Sequence, residues 1–325
     1  MSSHNTTAPG PIVIGPHGPV HTPYGYLVNE SIAILFVVLF SVSTLAHTIQ
    51  AIRSRIWWLL PTIVFTGIME IVGWSGRLWS SLNQSKFTPY EIQITATILA
   101  PTPLLAANFV ILGRIISKLG PAYSRLTPRR YAMVFITFDV VALIVQAVGG
   151  GMAATAVGKH TSAARGGHIM LGGIAFQLLS IAAFAACAIE FFLRFIYDRP
   201  LREVENSTPI QVESKPEKNS GRASITTNSS AALGPNEPKV SPPRLSFKMS
   251  VTAVALLVTT ACLLIRAVYR TIELSDGFTG KIIRTQIWFN IFDGGMVVFA
   301  MYTMNFLHPY WFLRFDDAVP RQSTA

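Results

Sequence analysis

Seven long apolar stretches separated by polar joints set the pattern of this chain. They cover residues 26–49, 57–80, 92–117, 131–156, 168–195, 247–272 and 283–307. Each is a continuous run of the length that a helix needs to cross a bilayer, about 20 residues. None shows the ~10-residue alternation of a barrel strand. The pattern predicts an all-α membrane protein, a seven-transmembrane helix bundle. Residues 1–25 form an N-terminal tail, 26–307 the membrane domain and 308–325 a C-terminal tail. Most joints are short, so neighbouring helices are expected to pack antiparallel. The joint at 198–246 is long and rich in Ser, Pro, Asn, Glu and Lys. It has too little apolar area to fold alone and reads as a disordered loop between helices five and six. Its Ser and Thr offer phosphate acceptors, but a plain linker is the preferred reading.

Composition agrees: 50% of residues are apolar, 13% are charged and the mean hydropathy is +0.44. The net charge of +10 raises the question of nucleic acid, and its distribution answers it. On one side lie Arg53, Arg55, Lys118, Arg125, Arg129 and Arg130, with Arg199, Arg202, Lys215, Lys218, Arg222, Lys239 and Arg244 of the long loop, and Arg314 and Arg321. The other side holds Lys86, Lys159, Arg165 and Lys281, and the N-terminal tail has no Lys or Arg. That asymmetry predicts an exterior N-terminus and a cytoplasmic C-terminus. The excess charge is topology, with anionic inner-leaflet lipid as a secondary partner; no nucleic acid is expected. The N-terminal tail lacks the apolar core of a cleavable signal peptide, so the first helix is expected to direct insertion. Cys187 and Cys262 both fall inside spans, so no disulfide is expected. Asn5 and Asn83 sit in glycosylation sequons on the predicted exterior side. Asn206 and Asn228 also sit in sequons, but on the predicted cytosolic side.

Candidate chemistry lies in polar groups inside the spans. A charge at mid-membrane is costly and usually faces the bundle interior or a wet cavity. Helix two carries Glu70 and Arg77 two turns apart, on one face. Helix three carries Gln93, Pro101, Pro103, Asn108 and Arg114; helix four Asp139 and Gln146, then Gly149, Gly150 and Gly151; helix five Gln177. Helix six carries Arg266, Arg270 and Glu273 on one face, and helix seven Asn290 and Asp293. At 1.5 Å per residue, Glu70 lies about 20 Å, Gln146 about 22 Å and Arg266 about 28 Å from the inner ends of their helices. The polar groups therefore gather in the outer half, with Asp139 and Asp293 nearer mid-depth. Matching heights pair Glu70 with Arg266 or Arg270. Arg77, Arg114, Arg266, Arg270 and Glu273 read as structural or gating charges. Asp139 and Asp293, with Gln146, Gln177 and Glu70 as further candidates, are expected to line one outward-opening cavity and bind a cationic head group or a coupling proton. The alternative for the two aspartates is that they accept hydrogen bonds and only orient their helices. Pro101 and the three glycines supply backbone adaptability.

These residues together resemble a known family. Glu70-x-x-Gly73-Trp74-x-x-Arg77 is similar to the second-helix signature of the fungal RTA-like proteins, lipid-translocating exporters named for resistance to aminocholesterol. The likeness continues through Gln93, Ala100-Pro101, Ala106-Ala107 and Leu112-Gly113-Arg114. It runs on through Phe138-Asp139-Val140-Val141, Gln146, Gly149-Gly150-Gly151, Gly172 and Gln177. It closes with Arg266-x-x-Tyr269-Arg270-x-x-Glu273, Phe292-Asp293 and His308-Pro309. Pro23-Tyr24-Gly25-Tyr26 fits the family's entry to helix one. Trp74, Gln286, Asn290 and Tyr310 depart from the family's usual residues. The resemblance implies export or flipping of amphipathic molecules: sphingoid long-chain bases, aminosterols and toxic hydrophobic compounds, with a part in stress or drug resistance. It implies the plasma membrane as location and membrane lipids as partners. Some members resemble porphyrin uptake proteins.

Other classes fit less well. Gly158-Lys159-His160 lacks the residues of a phosphate loop, so no nucleotide motor is expected. The histidines are scattered over both sides, so no metal, cofactor or hydrolase chemistry is expected. Residues 283–306 hold no lysine for a retinal. A heptahelical receptor-like sensor of membrane lipids is the alternative to a transporter.

Overall fold

The computed structural model describes residues 11–15, 18–158, 161–201, 247–277 and 280–307. The expectations for Asn5, the body of the long loop (202–246) and the C-terminal tail lie outside them. Seven helices are long and apolar enough to cross a membrane, in the predicted order: Glu30–Ser54, Trp57–Leu82, Thr88–Leu119, Pro128–Ala153, Ala164–Ile196, Phe247–Ser275 and Gln286–Phe306. They are called spans 1 to 7 below, and the protein is an integral multi-pass membrane protein.

Span 1 shows how the faces are assigned. Asn29 caps it, its side chain accepting from the Ile32 N–H at 3.2 Å. Phe36, Phe40, Thr44, His47 and Ala51 recur every three or four residues and are buried. Val38, Val42, Leu45, Ile49 and Ile52 occupy the opposite face and are exposed. Among the described residues the interior gathers the polar groups while the outer surface is apolar, as a bundle in lipid requires.

Spans 4 and 5 meet along small residues. A Cβ on Gly149 would stand 2.3 Å from the Met170 backbone nitrogen, and one on Gly166 2.4 Å from that of Ala153. The triple glycine begins at this seam. The helix Pro128–Gly158 runs through it unbroken. Gly149 is there so that two backbones can touch; Gly150 is half-buried beside Met170, and Gly151 faces open space.

Among the described residues, three spans leave regular α-geometry. Span 2 begins with a 3₁₀ turn, Trp57–Leu59, and a π turn, Leu60–Val64, around Pro61. Span 3 consists of Thr88–Leu99 and Pro101–Leu119. Pro101 has no N–H to offer the carbonyl four residues earlier, that of Thr97, which is left open to another donor. Span 7 contains a π turn, Phe289–Gly295, where Asn290 and Asp293 are both buried. One extra residue per turn rotates the following segment and brings both side chains to the interior. Such turns often occur at functional sites.

The segment ahead of span 1 has structure of its own. Ile12–Gly15 and Gly18–His21 pair antiparallel, Val13 opposite Val20. The chain then dips into the bundle. The Tyr24 hydroxyl donates to Gln93 Oε1 at 2.6 Å and contacts Ser80 Oγ at 3.0 Å, while Arg77 Nη2 donates to the Tyr26 hydroxyl at 2.9 Å. Helix one starts at Glu30 rather than at 26 because residues 22–28 make this connection. The end of the bundle that carries it is called the hairpin end.

Candidate functional site

Two polar assemblies of the described residues lie inside the bundle. The first is an ion cluster between spans 3, 6 and 7. Arg270 donates through Nε and Nη2 to the two oxygens of Asp293, both at 2.8 Å, and through Nη1 to Glu273 at 2.8 Å. Its Nη2 also reaches Thr97 Oγ1 at 3.0 Å. Glu273 takes a further bond from the Tyr269 hydroxyl at 2.9 Å. Arg266 Nε approaches Asp293 Oδ1 at 2.9 Å, out of hydrogen-bond alignment, and its Nη2 donates to the Thr97 carbonyl that Pro101 leaves open. Arg266, Arg270, Glu273 and Asp293 are all buried.

The cluster corrects two expectations. Asp293 is not short of basic partners: it holds both arginines, because the π turn of span 7 aims it at span 6. Glu70 does not pair with them. It is fully buried and faces the Trp74 indole, its neighbours by charge are Asp293, Arg266 and Arg270, and neither of its oxygens makes a well-aligned hydrogen bond. The arginines are already occupied by carboxylates closer in space.

Arg77 belongs to a separate arrangement nearer the hairpin end. Its guanidinium lies 4.6 Å from the Phe289 ring centroid, 5.3 Å from Tyr24, 5.6 Å from Trp74 and 5.7 Å from Tyr26. Each such contact contributes about 0.5–2 kcal/mol, more where water is excluded. Burial pushes the Tyr24 hydroxyl up to about 12, partly offset by the charge of Arg77 and the contact with Ser80. Arg114 is exposed near the opposite end, with its guanidinium 4.9 Å from the Trp58 ring. It takes no part in either assembly.

The second assembly is a small cavity between spans 3, 4, 5 and 6, with about 20 Å³ of free space. Its walls are apolar (Ile98, Leu105, Ile174, Ile181, Leu263) except for Gln146, Gln177, Arg266 and Arg270, and Pro101 forms part of its rim. Gln146 Nε2 donates to Gln177 Oε1 at 3.0 Å, and Gln177 Nε2 to Thr102 Oγ1 at 3.1 Å. Gln146 Oε1 is buried with no partner. The carboxylates stand behind the arginines and do not line the space.

Neither Asp139 nor Asp293 lines this cavity. Asp139 is 1% exposed, faces the Ser180 hydroxyl of span 5, and neither of its oxygens has a hydrogen-bond partner. It lies on the same strip of span 4 as Gln146, seven residues or roughly 10 Å toward the opposite end. Thr97, Thr102, Ser180 and Tyr24 were not singled out for these roles in the sequence. For Thr97 there was a signal, a proline four residues downstream.

The family model described as "RTA1 like protein" matches residues 63–316. Relatives include "Sphingoid long-chain base transporter RSB1" of Saccharomyces cerevisiae, 29% identical, with 88% of this chain and 73% of the relative aligned. "Protein RTA1" of the same species is 28% identical over 83% of this chain and 80% of the relative. "Probable lipid transporter atnI" of Emericella nidulans is 25% identical over 95% of this chain and 74% of the relative. No solved structure matches. With seven spans in order and a family match over most of its length, the chain belongs to the RTA1-like family.

Proposed function

We propose that this protein is a transporter, not an enzyme or a receptor, and that it moves amphipathic lipids, sphingoid long-chain bases in the first place, from one leaflet to the other. The observation that carries the reading is the intramembrane cavity. It has room for one small polar group and sets an unpaired amide atom of Gln146 beside an apolar wall, the local division that an amphiphile requires. The cluster behind it holds two guanidinium groups, Arg266 and Arg270, against two carboxylates, Asp293 and Glu273, with the Glu70 carboxyl close by. Its paired charges balance, so it does not repel an ammonium in the cavity. Asp139 lies on the same strip and is a second polar station on the way across. The names of two relatives, a sphingoid base transporter and a probable lipid transporter, support the same substrate class.

In this reading the hairpin end faces the exterior, the plasma membrane is the site of action, and export of toxic amphiphiles gives resistance. Cells that lack the protein should retain labelled sphingoid base, and overexpressing cells should release it faster. Equal release from both would remove the proposal. The orientation has its own check. Protease should cut the 198–246 loop in inside-out vesicles and leave it whole in intact cells; the reverse pattern would invert the topology.

A further inference from the structure

The cavity also indicates which part of a head group it reads. Gln146 and Gln177 form a relay that ends on Thr102, and the relay leaves one polar atom of Gln146 unpaired. Turning both amides over changes which atom that is, oxygen or nitrogen, but not that one remains. Gln146 is 3% exposed, so a leftover atom there is costly unless a ligand answers it. Arg266 also lines the cavity, and its Nε, 2.9 Å from Asp293 Oδ1, lacks an aligned acceptor, since Arg270 holds both oxygens of Asp293 in good geometry. The lining thus offers an amide and an under-satisfied donor, with no carboxylate in contact.

A hydroxyl is the group that satisfies both. It donates to Gln146 if the oxygen is free, accepts if the nitrogen is free, and accepts from Arg266 in either case. An ammonium only donates, so it answers one orientation of Gln146 and offers nothing to the guanidinium. A phosphate only accepts, so it answers the other orientation. We propose that Gln146, opposite Arg266, is the specificity-determining residue and selects lipids by their hydroxyl groups rather than by their amine. The inference rests on the transport reading above and sharpens it: a sphingoid base is accepted as a vicinal amino alcohol, its ammonium merely tolerated.

The test uses the full-length protein in liposomes and three fluorescent lipids with one common tail. Their head groups are those of a sphingoid base, a 1,2-diol without an amine, and a primary amine without a hydroxyl. The rate in protein-free liposomes is subtracted. The base and the diol should both move, about tenfold faster than the simple amine, the discrimination expected of one or two hydrogen bonds. Gln146→Leu should bring the three rates within about twofold of one another. Gln146→Glu, which only accepts, should turn the preference toward the two amines. Each comparison is a ratio within one preparation, so a smaller folded fraction does not imitate the result. Should the simple amine match the base in the unaltered protein, or the ratio survive Gln146→Leu, this inference is overturned while lipid transport stands. Failure to move any of the three overturns both.

Discussion

Removing the Asp293 charge probes the ion cluster most directly. Asp293→Asn keeps the shape of the side chain but removes the carboxylate that Arg270 contacts twice at 2.8 Å and Arg266 once at 2.9 Å. Losing one partner of a buried ion pair typically costs about 3–5 kcal/mol, because the other charge stays behind. Here the loss falls unevenly. Arg270 retains Glu273 at 2.8 Å and Thr97 Oγ1 at 3.0 Å, so most of its compensation survives. Arg266 retains only the Thr97 carbonyl. Glu273 is committed to Arg270 and Tyr269, which leaves Glu70 as the carboxylate able to turn toward Arg266. The expected loss for Asp293→Asn is therefore at or just below the low end of that range, about 2–3 kcal/mol. Glu70→Gln alone should change stability by less than about 1 kcal/mol, since the donor facing its carboxyl, the Trp74 N–H, is still accepted by an amide oxygen and no aligned bond is broken. The double variant should lose at least about 1 kcal/mol more than the sum, because the reserve partner is gone. Unfolding of the purified protein by SDS titration in mixed micelles measures all three. Additivity within about 0.5 kcal/mol would show that Glu70 is no reserve for Arg266, and the account of the cluster would be wrong.

Two other variants probe neighbouring contacts. Pro101→Ala in a mid-span helix normally gains about 3 kcal/mol of helix propensity. Here the restored N–H competes with Arg266 for the Thr97 carbonyl, so the SDS midpoint should rise by much less, and a full gain would deny that the carbonyl serves Arg266. Tyr24 gives a pH signature. Between pH 10 and about 12 the folded protein keeps a proton that the unfolded chain has lost, so stability falls as pH rises through that window, by up to about 1.4 kcal/mol per unit. Tyr24→Phe should flatten that part of the thermal-stability profile relative to the unaltered protein, and an unchanged slope would place the hydroxyl in water.

The number, order and approximate ends of the spans were legible because burial in lipid writes itself as length and hydropathy. What was not legible is rotation. Glu70, Asp139, Arg266, Arg270 and Asp293 were all recognisable as intramembrane polar residues, and heights along ideal helices matched Glu70 to the arginines. The match failed because heights do not say which way a side chain points. Asp293 wins the arginines through a π turn at Phe289–Gly295, and a π turn shifts the helical face without a proline to announce it. The triple glycine illustrates the converse. It suggested flexibility, yet Gly149 serves close contact with Met170, a use that shows only when the neighbouring backbone is in place.

Charge also drew attention away from the residue that matters most to the cavity. Four charged groups, Arg266, Arg270, Glu273 and Asp293, satisfy one another almost completely, and they do so behind the cavity wall. Apart from Arg266, whose Nε lacks an aligned acceptor, the members of such a cluster are poor at recognising a ligand, because any new contact must first break an existing one. The neutral amides are placed differently. Gln146 and Gln177 hold each other, fix the distance between spans 4 and 5, and still leave an atom over. An unsatisfied amide costs far less to keep in the membrane than an unpaired ion, and under the proposed function it is answered and released by each head group in turn. A site that must bind and let go is better built from that surplus than from the strong pairs beside it. The ion cluster then serves the architecture. It sets the rotation of spans 6 and 7 and, through Arg266 on the Thr97 carbonyl, holds the bend of span 3 that forms the rim of the cavity.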